Sequence, residues 1–154
     1  MGTHSHHDHK HEHTDVPLDA LKDKLRAGSR KITGPRQAIL DLLRRESHPL
    51  TNREILGHLG HEECDLATIY RNMHLLGAMG LVRKYDFGDG VARFELVRGD
   101  GEAHHHHLIC TACAAVVEID ECFPTALEQT IAAHSGFSKL THKLEFFGVC
   151  PKCQ

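Results

Sequence analysis

Four cysteines in two Cys-x-x-Cys pairs, Cys110 with Cys113 and Cys150 with Cys153, constrain this chain more than any other feature. A Cys-x-x-Cys turn places two thiols on one ion, and Zn²⁺ favours four such ligands in a tetrahedron. The two pairs therefore form one closed Zn–S₄ site, which staples the end of the chain to an earlier strand. A redox dithiol is the rival reading. No apolar run approaches the ~18 residues that a membrane span needs, and no charged-then-apolar signal segment opens the chain. A soluble cytoplasmic protein is expected, without a membrane partner. In that reducing compartment the six cysteines read as metal ligands before disulfides. Cys64 and Cys122 fit neither pair and read as ordinary thiols.

The 154 residues, 40% of them hydrophobic, suffice for one ordinary domain or two small ones. The net charge of −3 is unevenly spread: residues 18–45 carry +5, and residues 93–154 carry −3. A basic front and an acidic, ligand-rich back point to a nucleic-acid face joined to a metal-binding half. Six histidines lie in residues 1–16, which have no apolar periodicity and read as a disordered tail.

Leu18, Leu21 and Leu25 have helical spacing, and Gly28 stops that helix. A second helix follows residues 33–35, with Pro35 in its first turn and Ile39, Leu40, Leu42 and Leu43 as its apolar stripe. Thr51 and Glu54 make a capping box for a third helix that ends at Gly60. Asp65 caps a fourth, residues 66–79, whose stripe is Leu66, Ile69, Met73 and Leu76. Residues 81–85 and 91–96 read as strands around the Gly88-Asp89-Gly90 turn. Short helices followed by a hairpin is the layout of a winged helix-turn-helix. The fourth helix is then the recognition helix. Thr68, Arg71 and Asn72 lie off its apolar stripe, with Tyr70 on the flank, and these residues would face DNA. Arg reads guanine bidentately, while Tyr and Thr hold phosphates or a thymine methyl. Lys31 and Arg36 are candidate phosphate contacts.

Residues 97–103 read as a hinge. Strands are expected at 104–109, 115–119 and 139–149, with a helix at 124–135. The class is α+β: a winged helix at 17–96, then a small α/β domain at 104–154. Side chains alternate along a strand. His104 and His106 should therefore face one way, and His105 and His107 the other, so one strand can serve two metal sites. Imidazole and carboxylate donors suit Fe²⁺, Zn²⁺ or Mn²⁺.

Residues 66–71 (Leu-Ala-Thr-Ile-Tyr-Arg), 88–90, 94–96, 104–113, Val117-Glu118, His142 and the closing cysteine pair together resemble the ferric uptake regulator family of metal-dependent transcription factors. The resemblance spans about residues 18–153. It implies a homodimer with two winged helices and C-terminal dimerisation halves, repressing metal-uptake genes from a palindromic, A/T-rich operator in double-stranded DNA. It implies a regulatory metal held by Glu95, His105 and His107, with Glu118 as a further ligand and His48 as the nearest match to a histidine from the DNA-binding half. It implies a second site at His104, His106 and His142 with a carboxylate from the last helix. Thr125 stands where that carboxylate is expected, leaving Glu121, from the turn, or Glu128 to replace it. Glu95 resembles the iron-responsive branch, so Fe²⁺ ranks ahead of Zn²⁺ as regulatory ion, with peroxide or manganese sensing behind. The rival classes are a metal-dependent hydrolase, for which no general base or nucleophile stands beside the ligands, and a metal-buffering protein, which leaves the winged helix unexplained.

Overall fold

The computed structural model describes residues 16–98, 105–119 and 125–154. Helix α1 (Leu18–Ala27) buries Leu21 and Leu25. In α2 (Gly34–Arg45) Thr33 accepts the Arg36 amide as N-cap, Pro35 sits in the first turn, and the four expected apolar residues are buried. Helix α3 (Asn52–Leu59) starts from the full Thr51–Glu54 capping box. Asp65 caps α4 (Leu66–Ala78) through the Thr68 amide. These helices close one aliphatic core around Leu40, Ile55, Ile69 and Leu76.

Strands β2 (Val82–Asp86) and β3 (Ala92–Leu96) form the expected antiparallel hairpin. A two-residue strand, β1 (Leu50–Thr51), pairs with β3 and was not expected. It is too short to show alternation. The strand order is β1-β3-β2. On β3, Phe94 and Leu96 join the helical core. Arg93 and Glu95, on the opposite face, are also buried. A sheet face turned from its own core stays buried only if something covers it: His105 and His107 cover Glu95, and the wing turn, through Asp89 and Phe87, covers Arg93.

The second sheet has the order β5-β4-β6, from β4 (His106–Cys110), β5 (Val116–Ile119) and β6 (Glu145–Gly148). β4 runs antiparallel to β5 and parallel to β6. Helix α5 (Thr125–Ser135) lies between β5 and β6 in sequence. A final strand over residues 139–149 is corrected to Glu145–Gly148 alone. Lys139 has φ +55°, a left-handed conformation that no strand accommodates. Tyr85, Phe87 and Ile109 form a small apolar seam where β2 and the wing turn meet β4.

In the wing turn, Gly88 (φ +84°) and Gly90 (φ +72°) take backbone conformations that disfavour other residues. Between them Asp89 accepts two hydrogen bonds from Arg93, at 2.8 and 3.0 Å, and the Val91 amide at 3.0 Å. The Arg93 guanidinium is the main reason that the Asp89 carboxyl is held down at about 2. A depressed folded-state value stabilises the fold above the ordinary carboxylate value, and the gain is lost as pH falls through about 2. We expect Asp89→Asn to lower the urea midpoint at neutral pH and to converge on wild type as pH falls below ~4. A gap independent of pH would show that the carboxylate charge contributes nothing.

Candidate metal centres and nucleic-acid interface

The Sγ atoms of Cys110, Cys113, Cys150 and Cys153 all lie within 4.8 Å of one another. Cys113 and Cys150 are 3.8 Å apart. That is far beyond a disulfide bond of ~2.0 Å, and it equals the ~3.8 Å edge of a tetrahedron with Zn–S bonds of ~2.3 Å. Backbone pairing sets this up. β4 and β6 run in parallel register as far as Cys110 opposite Gly148, so both Cys-x-x-Cys turns leave the sheet at the same end. The amide of Cys150, and then those of Cys113 and Ala112, bring the Cys110 thiol down to about 6. The neighbouring Cys150 and Cys113 sulfurs push Cys153 up to about 12. Four thiolates this close ionise together only around a cation, so the donor set fits Zn²⁺.

A second cluster joins the two sheets. Glu95 from β3 meets His105 and His107, with one ligand atom of each within 4.8 Å of the others. His105 Nε2 lies 2.9 Å from Glu95 Oε1, and His107 Nε2 is 3.5 Å from Glu95 Oε2. Glu118 on β5 reaches His105 Nδ1 at 3.0 Å. Burial pushes the Glu95 carboxyl up, but hydrogen bonds and charge from His105 and His107 outweigh it and bring it to about 2. His105 is raised, chiefly by its hydrogen bond to Glu95 and against the effect of burial. His107 is 2% exposed. Its ring meets Tyr85 edge-on at 4.6 Å and lies 5.3 Å from Phe87. Its Nε2 is buried without a well-formed hydrogen bond. A buried imidazole nitrogen that faces a carboxylate beside a second imidazole is a position that a divalent cation would satisfy. Tyr85 and Phe87, which hold His107 in place, were not legible as site residues. They carry no ligand atom, and only the inter-sheet packing reveals them.

His48 does not join this cluster. Its side chain is 39% exposed, with Nδ1 3.9 Å from Glu46. The reason is local: α2 ends at Arg45, and the following turn sets His48 beside Glu46.

His106 points to the other side of β4, as alternation requires. Its Nε2 faces His142 Nε2 at 3.3 Å. His104 and Glu121 lie outside the described residues, as does Cys122. Among the described residues, Glu128 meets His142, at Nδ1 and 2.7 Å. It therefore takes the nitrogen turned away from His106, where a carboxylate orients an imidazole rather than shares its ligand position. The Leu144 carbonyl does the same for His106 Nδ1, at 3.3 Å. A cavity of about 180 Å³ opens beside both histidine clusters, lined by His105, His107, His142, Arg83, Lys84 and Lys143 among others.

On α4, Tyr70 is 58% exposed and Arg71 is exposed, with its guanidinium resting on Thr68 Oγ1 at 3.0 Å. Thr68 is half-buried, and Lys31 is exposed before α2. Asn72 departs from expectation, being only 5% exposed. It faces α2 and accepts a hydrogen bond from Arg36 Nε at 2.9 Å. No helix among the described residues is long and apolar enough to cross a membrane.

The Ferric uptake regulator family model matches residues 27–147. The Ferric uptake regulation protein of Bacillus subtilis is 38% identical over 140 residues, covering 88% of this chain and 93% of that protein. The fold is similar to the Helicobacter pylori ferric uptake regulator, with TM-score 0.76 at 17% identity over 90% of this chain and 95% of that one. It is also similar to the Vibrio cholerae ferric uptake regulator, with TM-score 0.70 at 28% identity over 84% and 99%. The four-thiol centre, the inter-sheet Glu–His cluster and the winged helix thus sit in a chain that matches one family along most of its length: this protein belongs to the ferric uptake regulator family.

Proposed function

We propose that this protein is a metal-responsive DNA-binding transcriptional repressor that acts in the cytoplasm as a homodimer, with Fe²⁺ as its regulatory ion and Zn²⁺ as its structural one. The observation that carries this reading is the meeting of Glu95, on the wing sheet, with His105, just before β4, and His107, on β4. An ion held there ties residues 17–96, the DNA-binding part, to residues 104–154, the metal-binding and dimerisation part, across the hinge at 97–103. Two imidazoles and a carboxylate, with Glu118 adjacent and no thiolate, are donors that favour Fe²⁺ over a thiophilic ion. The metal supplies positive charge that the Glu95 carboxylate and the two imidazoles share. The chain's own part is to hold those donors on separate sheets, so that satisfying them fixes the orientation of the halves. Metal and DNA that favour the same orientation strengthen each other by the same factor.

The second set brings His106 and His142 together, with Glu128 orienting His142, and His104 and Glu121, outside the described residues, belong to the same proposed site. The homodimer is supported by exposed apolar residues. Leu108, Val117 and Phe146 stand in one cross-strand row of the second sheet, and Leu127 and Ile131 lie one turn apart on α5. Such a patch on a small domain calls for a covering partner.

On a duplex selected by the protein from a random pool, Fe²⁺ should strengthen retardation, and A/T-rich inverted repeats should be enriched. Arg71→Ala should weaken that binding by about 1–3 kcal/mol and relax the sequence preference while leaving metal affinity unchanged. Equal retardation with and without metal, at full zinc occupancy, would sink the reading.

A further inference from the structure

The recognition helix is tied to α2 by one guanidinium. Arg36 Nε donates to Asn72 Oδ1 at 2.9 Å. Asn72 Nδ2 donates in turn to the Thr68 carbonyl at 2.8 Å, one turn back along α4. Arg36 Nη1 donates to the Lys31 carbonyl in the segment before α2. The amide orientation follows from its partners, because a guanidinium only donates and a carbonyl only accepts. Asn72 is 5% exposed. It immediately follows Arg71, and its partner Thr68 is the residue on which the Arg71 guanidinium rests. Apart from Asn72, the buried residues of α2 and α4, such as Ile39, Leu43, Ile69 and Met73, are apolar and belong to one core. Apolar packing tolerates small sliding and rotation. A charge-assisted hydrogen bond between a half-buried arginine and a buried amide has one geometry.

We infer that Arg36 and Asn72 are positioning residues, a clamp that sets the angle and depth at which α4 presents Tyr70 and Arg71 to the major groove. This rests on the DNA-binding reading above. It gives Arg36 a duty different from neutralising a phosphate. It also ties Lys31 to the same rigid unit, so that the segment before α2 and the recognition helix move together. Asn72 contributes to recognition without touching a base.

The test uses the full-length, metal-loaded protein, the duplex enriched from the random pool and a scrambled duplex of the same length and composition. Four proteins are compared: wild type, Arg36→Lys, Asn72→Ala and the double variant. Arg36→Lys keeps the charge and loses the fork; Asn72→Ala keeps every charge. Each single variant should lose about ten- to a hundredfold in affinity for the selected duplex, the scale of a hydrogen bond to a charged group. Affinity for the scrambled duplex, and the dependence of binding on salt, should stay at wild-type values, because the number of phosphates neutralised is unchanged. The double variant should lose no more than the worse single, since both remove the same link. Thermal unfolding and zinc content identify any variant that has not folded. Arg36, being half-buried, can be changed with less damage to the core than Asn72, so Arg36→Lys decides the matter if Asn72→Ala is unstable.

Wild-type affinity in folded Arg36→Lys overturns the clamp, as does additive loss in the double variant. A parallel loss on both duplexes overturns it too, since that would be general damage rather than altered presentation. Failure of the wild-type protein to prefer the selected duplex is a separate result that removes the DNA-binding reading itself.

Discussion

Cys113→Ser is expected to strip one zinc ion per chain and to lower the unfolding temperature by ~10 °C or more. The size follows from how little else holds the second sheet. Of its large apolar side chains, Ile109 is buried, while Leu108, Val117, Phe146 and Phe147 remain 39–57% exposed within one chain. Small zinc domains gain about 10–16 kcal/mol of apparent binding free energy from a structural ion. A whole domain is stable by only about 5–15 kcal/mol. The centre joins the turn after β4 to the turn after β6, and a three-ligand remnant opens the fourth coordination position and weakens the staple. Because the exposed apolar row is also the proposed dimer face, the variant should elute as a monomer or aggregate. Zinc by mass spectrometry, light scattering and calorimetry on one preparation check all of this. Cys64→Ser is the control, because Cys64 lies in the helical core and should keep its zinc. A dimeric Cys113→Ser protein with unchanged unfolding would refute the staple.

Glu95→Gln should uncouple metal from DNA while leaving the structural zinc in place. Gln is nearly isosteric and can still accept one imidazole hydrogen bond, so the fold survives. What it lacks is the charge at the meeting point of the two sheets. In the wild-type protein regulatory metal should strengthen DNA binding by about 5–150-fold, the usual range of such couplings. In Glu95→Gln that factor should fall toward one, and by reciprocity added DNA should no longer tighten metal binding. His105 and His107 sit on neighbouring positions of one segment and can hold an ion without Glu95. Residual metal binding without coupling is therefore the diagnostic result. Titration calorimetry for the metal, with retardation at saturating metal, separates the two quantities. Retained coupling would move the hinge between states to some other contact and would exclude Glu95 as the bridge.

Much of this was legible from one-dimensional pattern. The thiol pairs, the capping box at Thr51 and the alternation along residues 105–107 are local signals whose geometry follows from chain stereochemistry. Asn72 misled because helical periodicity identifies an apolar face and cannot recognise a polar residue buried by a partner. Arg36, 36 positions earlier in the chain, supplies that partner. Apolar alternation over residues 139–149 overstates the last strand because it continues through residues whose backbone, at Lys139, is left-handed. The carboxylate for His142 could not be chosen between Glu121 and Glu128 from spacing alone. Among the described residues Glu128 lies against Nδ1, since α5 and the segment before β6 lie side by side there, and Glu121 lies outside them.

By itself the sequence determined the inventory and its local order: which residues bear thiols, imidazoles and carboxylates, where helices start, and which strand residues share a face. Those properties are set within a few residues of each position. Only the tertiary structure decided the grouping. It put Glu95 with His105 and His107, left His48 beside Glu46, enclosed His107 with Tyr85 and Phe87, and locked Arg36 onto Asn72. Each of these depends on how two elements pack, and packing is settled by the summed burial of many side chains that no short motif contains.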